Sequence, residues 1–292
     1  MTYYSLLKQC AAQLELVSGA QAEFEAETIL LFSFALSRVA FFSMLNEEVQ
    51  NERALEKMCH FIEKRKTGCP LAYVLGTIQF RNTQYQVAPG VLIPRPETEI
   101  LVQEAIRTIQ VDYPKKRVTV LELGFGAGVI GIELQKEVPN LQYFGWDSAT
   151  EAYALAKKNA ATLGLTQLQF FHEDFFLHDK REYSFQSDVL LVISNPPYIP
   201  SSKLKDLDEQ VSRFEPHLAL DGGLDGGAFY RKLIPSMASF VSAFIFEIGA
   251  NQRKLIESIT CAIPNLKLCF YKDYQGIDRV VKISVTAPTI PS

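Results

Sequence analysis

The sequence has few cysteines, and their spacing indicates no shared chemistry. The five are Cys10, Cys59, Cys69, Cys261 and Cys269. No CxxC pair occurs among them, so an odd and scattered set supports neither a disulfide framework nor a zinc knuckle. The four histidines, His60, His172, His178 and His217, also lack the spacing of metal ligands. We therefore predict that the protein has no metal site.

Long apolar runs are missing as well. The most apolar segment, residues 29–45, is interrupted by Arg38 and is shorter than the roughly 20 residues that a spanning helix needs. Lys8 and Glu15 lie where a signal peptide would require an uncharged apolar stretch. We expect a soluble, reduced, cytoplasmic protein that does not bind membranes.

An excess of basic residues is absent too. Lys plus Arg number 29 and Asp plus Glu number 33, which gives a net charge of −4. This balance disfavours a protein that holds long nucleic acid by bulk charge, although it leaves room for a small basic patch. We interpret the basic runs at 64–66 and 115–117 as solvated ends of helices or loops, and we predict no stable nucleic-acid binding.

What the sequence does contain is enough chain for about two domains, since 292 residues exceed the usual size of roughly 150 residues for one. Apolar residues recur at helical spacing in the first part, as at Leu6, Leu7, Ala11 and Leu14, which predicts a helical domain over residues 1–70. Alternating residues then predict a β-hairpin linker over 71–92, and the larger domain follows over 93–292.

Strands and helices alternate from residue 118 onward. We predict strands at 118–123, 142–147, 189–194 and 244–249, with amphipathic helices after the first two. Strands without polar alternation, separated by helices, are typical of a parallel sheet covered on both faces. The segment 266–285 contains two strands around a glycine-containing loop, which predicts an antiparallel pair at the edge. The fold class is therefore α/β with a small helical N-terminal domain.

A glycine-rich loop lies between the first predicted strand and its helix. Its sequence is LELGFGAG over 121–128, and Asp147 ends the next strand 19 residues beyond Gly128. Alternate glycines let the backbone approach a ligand, the helix start offers free N–H groups, and an acid at that distance can accept from ribose hydroxyls. The G-x-G-x-G spacing differs from the G-x-G-x-x-G of dinucleotide binders, so it favours a nucleoside without phosphates.

Two further residues follow the next predicted strand, which we place at 168–171. Asp174 could accept from an adenine amino group, and Phe175 could cover the ring. The same pair is equally consistent with a loop acid beside a core phenylalanine.

The sequence NPPY over 195–198 follows a buried strand and is expected at the edge where open α/β sheets bind ligands. Pro197 fixes its own φ and favours an extended Pro196, and neither proline has an N–H to donate. The turn therefore offers two acceptors, the Asn195 side-chain oxygen and the Pro196 carbonyl, to the hydrogens of an –NH₂ group. Tyr198 could lie against a planar amide or base.

Such a grip matters chemically because the lone pair of an amide or aromatic-amine nitrogen is delocalised. The nitrogen attacks an electrophile only when its hydrogens are held and its lone pair is directed. Positioning and dipoles then drive the reaction, and no strong general base is required. Glu247 ends a strand beside this predicted site, where we expect it to support the turn without a catalytic role.

These motifs carry a resemblance that covers nearly the whole chain. The sequence resembles class I S-adenosylmethionine-dependent methyltransferases, and more narrowly the bacterial release-factor glutamine N5-methyltransferases of the HemK type. The segments that carry it are PLAYVLG (70–76), VLIPRPETE (91–99), LELGFGAG (121–128), SNPPYIP (194–200), FEPHLALDGGLDG (214–226), FEIGANQ (246–252) and QGIDRVV (275–281). NPPY is shared with enzymes that methylate amino groups in DNA, whereas the other segments are more specific.

The resemblance implies a Rossmann-like methyltransferase sheet, S-adenosylmethionine as cofactor, and the glutamine of the Gly-Gly-Gln motif of peptide-chain release factors as substrate. It implies that the helical N-terminal domain helps to dock the protein substrate and that Arg95 lies near the substrate entrance. The cofactor-binding residues that we expect are Glu122, Gly124, Phe125, Gly126, Ala127, Gly128, Asp147, Asp174, Phe175 and Asn195. The residues expected to hold the substrate amide are Asn195, Pro196, Pro197 and Tyr198.

Phe125 and Ala127 depart from the family, which commonly has Thr and Ser there, so hydroxyl contacts to the cofactor are in question while the glycine frame survives. Other functions remain open at this point. They are glutamine methylation of a ribosomal protein, amino-group methylation of DNA adenine, and a non-catalytic nucleoside-binding scaffold in translation. The DNA reaction needs a base-flipping surface and a basic recognition segment, neither of which the sequence offers. A monomer is the default expectation for the oligomeric state.

Overall fold

The computed structural model describes residues 1–177 and 187–286, so His178 lies outside the described part of the chain. The helices are α1 (Tyr3–Ser18), α2 (Ala22–Phe34), α3 (Arg38–Ser43), α4 (Glu52–Lys66), α5 (Leu71–Leu75), α6 (Thr98–Arg107), α7 (Val129–Glu137), α8 (Thr150–Thr162), α9 (Glu209–Phe214), α10 (Ala228–Met237) and α11 (Arg253–Thr260). The strands are β1 (Thr77–Phe80), β2 (Thr83–Gln86), β3 (Val118–Leu123), β4 (Gln142–Asp147), β5 (Gln169–His172), β6 (Val189–Ser194), β7 (Ala243–Glu247), β8 (Leu266–Lys272) and β9 (Asp278–Val285).

The described residues form two compact units. One comprises Met1–Ile78 together with Asp208–Phe214, and the other comprises the rest. The first unit is helical, and three of its helices, α1, α3 and α4, begin at side-chain caps: Thr2, Ser37 and Asn51 each accept a hydrogen bond from a backbone N–H three residues on. Its core is built from apolar residues of α1 to α4.

Arg65 of this helical unit is buried, with 1% of its side chain exposed, so the expectation that the basic run at 64–66 is solvated is wrong for this residue. Its guanidinium pairs with Glu25 of α2 at 2.6 Å and donates to the carbonyl of Cys69. A buried guanidinium requires such a partner, and the partner lies 40 residues away in sequence.

The segment 71–92 differs from the predicted β-hairpin linker at its start. It begins with helix α5, and the two-stranded sheet of β1 and β2 occupies only 77–86. Pro70 precedes the helix, which suits a helix start, and Gly76 ends it in the left-handed conformation, a common helix stop.

The second unit contains a seven-stranded sheet in the order β5-β4-β3-β6-β7-β9-β8. β3, β4, β5, β6 and β7 are parallel, and β9 is antiparallel to both β7 and β8. The predicted α/β fold, mostly parallel with an antiparallel pair at one end, is confirmed. The later strand of that pair lies inside the sheet: β9 is the partner of β7, and β8 forms the edge.

Burial explains this order. Val280, Val281 and Ile283 of β9 are fully buried, whereas β8 alternates between half-buried and exposed residues, as an edge strand does. In the described part of the chain, no helix combines the length and the apolar character needed to span a bilayer.

Candidate active site

The candidate site lies at the carboxyl edge of the parallel strands. β3, β4, β6 and β7 end at Leu123, Asp147, Ser194 and Glu247, and parallel strands bring these ends to one edge. β3 lies between β4 and β6, where the strand order reverses direction. Open α/β sheets bind ligands at this switch point.

The glycine loop follows β3 and needs its glycines. Gly124, Gly126 and Gly128 have φ of 73°, 53° and 78°, in the left-handed region that other residues seldom adopt. The Gly124 N–H donates to the Trp146 carbonyl at 2.8 Å, which fixes the loop against the end of β4. A Cβ added to Gly124 would meet no atom within 4 Å. The loop therefore leaves open space beside its backbone, as a cradle for a ligand requires.

Asp147 is held in place by the same loop. Its Oδ2 accepts from the Gly126 N–H at 2.9 Å, and its Oδ1 accepts from the Ala149 N–H at 3.0 Å. Burial raises the pKa of this carboxyl, and the two backbone N–H groups act in the opposite direction. A carboxylate fixed through both oxygens still has lone pairs for further donors, so it can accept from vicinal hydroxyls.

These residues border a cavity of about 330 Å³. The predicted residues that line it are Gly124, Phe125, Gly126, Ala127, Asp147, Asp174, Phe175, Asn195 and Pro197. Trp146, Phe176 and Phe229 add aromatic walls. Asp174 accepts from the Phe176 N–H at 2.9 Å, which holds its carboxylate at the wall. A mostly apolar lining with several aromatic rings and a few fixed polar groups is typical of a small-molecule site.

Four predicted residues do not line the cavity: Glu122, Gly128, Pro196 and Tyr198. Side chains alternate along β3, so Leu123 reaches the cavity while Glu122 points to the other face and accepts from the Tyr143 hydroxyl at 2.6 Å. Burial raises the pKa of Glu122 to about 8. This geometry gives Glu122 a structural place in the core, contrary to its expected role in cofactor binding.

Gly128 is the first residue before α7, and a Cβ there would lie 3.0 Å from the Cβ of Ala156 on α8. Its role is therefore close packing of two helices. Tyr198 is turned toward Glu247, whose Oε1 accepts from its hydroxyl at 3.2 Å, so the phenol supports the turn from outside the cavity. The contact between Glu247 and the NPPY turn agrees with the position that we expected for this acid.

Asn195 lines the cavity and is supported from two sides. Its Nδ2 donates to the hydroxyl of Thr98 on α6 at 3.1 Å. The preceding Ser194 donates to the Leu123 carbonyl at 2.6 Å, which ties the end of β6 to the end of β3. The Asn195 amide and the glycine loop therefore lie on one fixed frame.

Arg95, expected near the substrate entrance, pairs with Glu215 at 2.5 Å. Glu215 also accepts from the Ile93 N–H at 3.2 Å. The neighbouring Pro94 and Pro216 line the cavity, so the ion pair joins two segments at its border.

Sequence reasoning missed Thr98, Ser194 and Gln252. Gln252 donates from Nε2 to the Tyr198 carbonyl at 2.8 Å. All three lie in the segments on which the family resemblance rests. Their place in these motifs was the signal in the sequence that could have identified them. Their contacts with Tyr198, Leu123 and Asn195 span 54 to 97 residues and could not be inferred from spacing.

The residues present fit a nucleoside cofactor. Gly124 leaves space at the loop, Asp147 offers a fixed acceptor, and aromatic rings form part of the lining. Among residues 1–177 and 187–286, no group of three or more His, Cys, Asp or Glu could hold a metal ion. Fold and site together define a class I S-adenosylmethionine-dependent methyltransferase.

The comparisons with known proteins agree with this class. Residues 98–223 match the family model "Methyltransferase small domain", and residues 5–76 match "PrmC N-terminal domain". The human Mettl16 catalytic domain, solved with a MAT2A 3′UTR hairpin, shares the fold at a TM-score of 0.53 and 12% identity, over 83% of this chain and 85% of that one.

Curated relatives are more similar in sequence. The release factor glutamine methyltransferase of Geobacter sulfurreducens is 33% identical over 89% of this chain and 88% of its own length. That of Bacillus anthracis is 33% identical over 96% of this chain and 98% of its own. The chain belongs to the release factor glutamine methyltransferase family, whose methyl donor is S-adenosylmethionine.

Proposed function

We propose that this protein transfers a methyl group from S-adenosylmethionine to the N5 side-chain nitrogen of the glutamine in the Gly-Gly-Gln motif of peptide-chain release factors. The observation that carries this proposal is the position of Asn195. It lines the same cavity as Asp147 and the glycine loop, directly after β6. The relatives named release factor glutamine methyltransferase match along 88% and 98% of their own length, which supports a release-factor glutamine as the acceptor.

When bound, S-adenosylmethionine supplies a methyl carbon attached to a positively charged sulfur, which is a strong electrophile. The chain positions the nucleophile. The Asn195 Oδ1 accepts one hydrogen of the glutamine –NH₂. Pro196 does not line the cavity itself but lies between Asn195 and Pro197, which do, and its carbonyl accepts the second hydrogen. The nitrogen lone pair is then directed at the methyl carbon. The bound donor would give up its methyl carbon to this nitrogen and keep the electrons of the C–S bond, and the nitrogen would lose its surplus proton to water. The fixed dipoles of the turn stabilise the transition state of this step, so no strong base is needed.

Asp147 would hold the bound donor by accepting from its ribose hydroxyls. Asp174 would accept from the adenine amino group, and Phe175 would cover the ring. The glycine loop provides backbone N–H groups and space for the methionine part of the donor. These roles follow the cavity lining, which brings the three residues and the loop together.

We infer the following organisation for the function. Residues 1–70 dock the protein substrate, 71–92 form a linker with a β-hairpin, and 93–292 bind S-adenosylmethionine and catalyse the transfer. The protein acts as a monomer in the cytoplasm. It does not bind nucleic acid stably, and its net charge of −4 supports this last point. Glutamine methylation of a ribosomal protein, DNA adenine methylation and a non-catalytic scaffold are not favoured by the named relatives.

Mass spectrometry tests the proposal with labelled S-adenosylmethionine and four acceptors: intact release factor, a Gly-Gly-Gln peptide, a ribosomal-protein fraction and duplex DNA. We expect label on the glutamine of the intact factor. Asn195→Ala should bind cofactor normally in a calorimetric titration and transfer no methyl group, whereas Asp147→Ala should bind cofactor more weakly. Label on DNA or ribosomal protein alone, or none on any acceptor, would overturn the proposal.

A further inference from the structure

Thr98 links Asn195 to the buried carboxylate of Glu247. The Thr98 hydroxyl donates to Glu247 Oε2 at 2.7 Å and accepts from Asn195 Nδ2 at 3.1 Å. A threonine hydroxyl has one hydrogen and two lone pairs. Because that hydrogen is given to Glu247, the oxygen faces Asn195 as an acceptor. The direction of both hydrogen bonds is therefore set by the carboxylate.

The Glu247 carboxylate is itself held in place, so it can fix the direction of these two hydrogen bonds. It is 1% exposed, and its second oxygen, Oε1, accepts from the Tyr198 hydroxyl at 3.2 Å. Its backbone carbonyl accepts from the buried Tyr230 hydroxyl at 2.7 Å. One carboxylate thus contacts both ends of the NPPY turn, through Thr98 at Asn195 and directly at Tyr198.

The direction of the Asn195 amide has a chemical consequence. With Nδ2 engaged by Thr98, Oδ1 is the atom left to meet the substrate. An amide rotated by half a turn would present its own –NH₂ to the –NH₂ of the glutamine, which places donor against donor. Such a mismatch costs binding energy and misdirects the nitrogen.

We propose that Glu247 is a positioning residue that sets the orientation of the Asn195 amide through the Thr98 hydroxyl. The proposal rests on the proposed function, because it assumes that Asn195 receives a substrate –NH₂. It assigns no contact between Glu247 and substrate or cofactor.

The surroundings of Glu247 predict a pH dependence. Burial, together with the nearby Glu97, raises the pKa of Glu247 to about 7, while Thr98, Tyr198 and Arg279 act in the opposite direction. The Tyr230 hydroxyl donates to the backbone of Glu247. A proton on Oε2 would occupy the place of the Thr98 hydrogen and remove the acceptor that orders the chain of hydrogen bonds. The methylation rate should therefore fall as the pH drops through about 7.

The test uses the full-length protein with intact release factor. Thr98→Val removes the hydroxyl at nearly constant shape, and we expect kcat to fall roughly 10- to 100-fold while the Kd for S-adenosylmethionine stays unchanged. Thr98→Ser restores the hydroxyl and should recover most of that loss. Glu247→Gln should lower kcat and flatten the pH profile near neutrality. Thr260→Val is the matched control, because its buried hydroxyl donates to the Ile256 carbonyl within α11.

The outcomes separate this inference from the proposed function. If wild-type protein methylates the factor and Thr98→Val does so at the same rate, the positioning role is overturned and the function stands. A reduced rate in Thr98→Val that Thr98→Ser does not recover also overturns it. If wild-type protein transfers no methyl group to the factor, the proposed function itself fails. Cofactor titration shows that each variant is folded.

Discussion

Tyr143 donates its hydroxyl hydrogen to the carboxylate of Glu122 at 2.6 Å, and both side chains are almost wholly buried. The pair joins the adjacent strands β3 and β4 beneath the glycine loop. Gly131 of α7 packs directly on the Tyr143 ring, so a Cβ at this position would clash with it. The pair is therefore enclosed on the helix side of the sheet.

Removing the Tyr143 hydroxyl tests how much this hydrogen bond contributes to stability. Tyr143→Phe removes the hydroxyl donor from a buried carboxyl, and we expect the free energy of unfolding to fall by about 1–3 kcal/mol. The midpoint of urea unfolding, followed by Trp146 fluorescence, measures the change. Tyr274→Phe is the control, because Tyr274 is fully exposed. Equal midpoints for Tyr143→Phe and wild type would contradict the prediction.

Glu122 also predicts how stability varies with pH. Burial raises its folded pKa to about 8, above the ordinary value of 4.5, so the folded state binds the extra proton between these values. Its contribution to stability is complete below about pH 4.5 and is lost as the pH rises through about 8.

Glu122→Gln should remove this dependence. We expect the variant to gain stability over wild type as the pH increases from about 5 to about 9, in urea unfolding at each pH. Glu247 has a shift of the same sign but is present in both proteins, so it cancels in the difference. Glu56→Gln is the control, because its carboxylate lies exposed on α4. If the free energies of unfolding of Glu122→Gln and wild type change with pH in parallel, the raised pKa of Glu122 is refuted.

Two glycines with the same φ distinguish the effect of backbone strain from the effect of space for the ligand. Gly124 and Gly164 both have φ of 73°, and a Cβ at either would meet no atom within 4 Å. Only Gly124 lines the cavity. Alanine at either position should cost about 1–2 kcal/mol of stability from the left-handed conformation.

Gly124→Ala alone should weaken S-adenosylmethionine binding, by roughly 10- to 100-fold, since its methyl group takes space that the cofactor needs. Calorimetric titration of both variants measures this. If Gly164→Ala loses affinity to the same degree, or Gly124→Ala loses none, the loop does not contact the cofactor as proposed.

Because the ion pair of Arg65 and Glu25 is buried, we expect that breaking it strongly lowers the stability of the helical unit. Glu25→Gln leaves the guanidinium uncompensated and should cost on the order of 3 kcal/mol. Glu23→Gln breaks an exposed pair with Lys8, and because water screens this pair, we expect a much smaller loss of stability than for Glu25→Gln. Urea unfolding followed by circular dichroism compares the two; similar midpoints would show that burial does not strengthen the Arg65 pair.

The strands of the main sheet were predictable because burial on both faces leaves a continuous apolar signal. β3, β4 and β6 have the predicted bounds, 118–123, 142–147 and 189–194. The place of β9 inside the sheet was not predictable, because both C-terminal strands are apolar and pairing order depends on contacts distant in sequence. The glycine loop and Asn195 were found through local motifs.

The same reasoning could not find side-chain partners that lie far apart in sequence. Thr98 meets Asn195 across 97 residues, and Arg65 meets Glu25 across 40. Glu122 was placed with the cofactor because it adjoins the loop, yet the alternation of side chains along β3 sends it to the opposite face. The sequence correctly placed the glycine loop between a strand and a helix, but it did not give the direction of the Glu122 side chain.

The helical unit has a further property that concerns its biosynthesis. Its last element, α9, is encoded more than 130 residues after α5, and Arg213 of α9 donates to the Thr67 carbonyl at 3.4 Å. The unit therefore cannot be completed when its first 78 residues leave the ribosome; it must wait until the chain beyond β6 has been made. An element of such high contact order is a late step in folding, so the two ends of this unit mature at different times during translation.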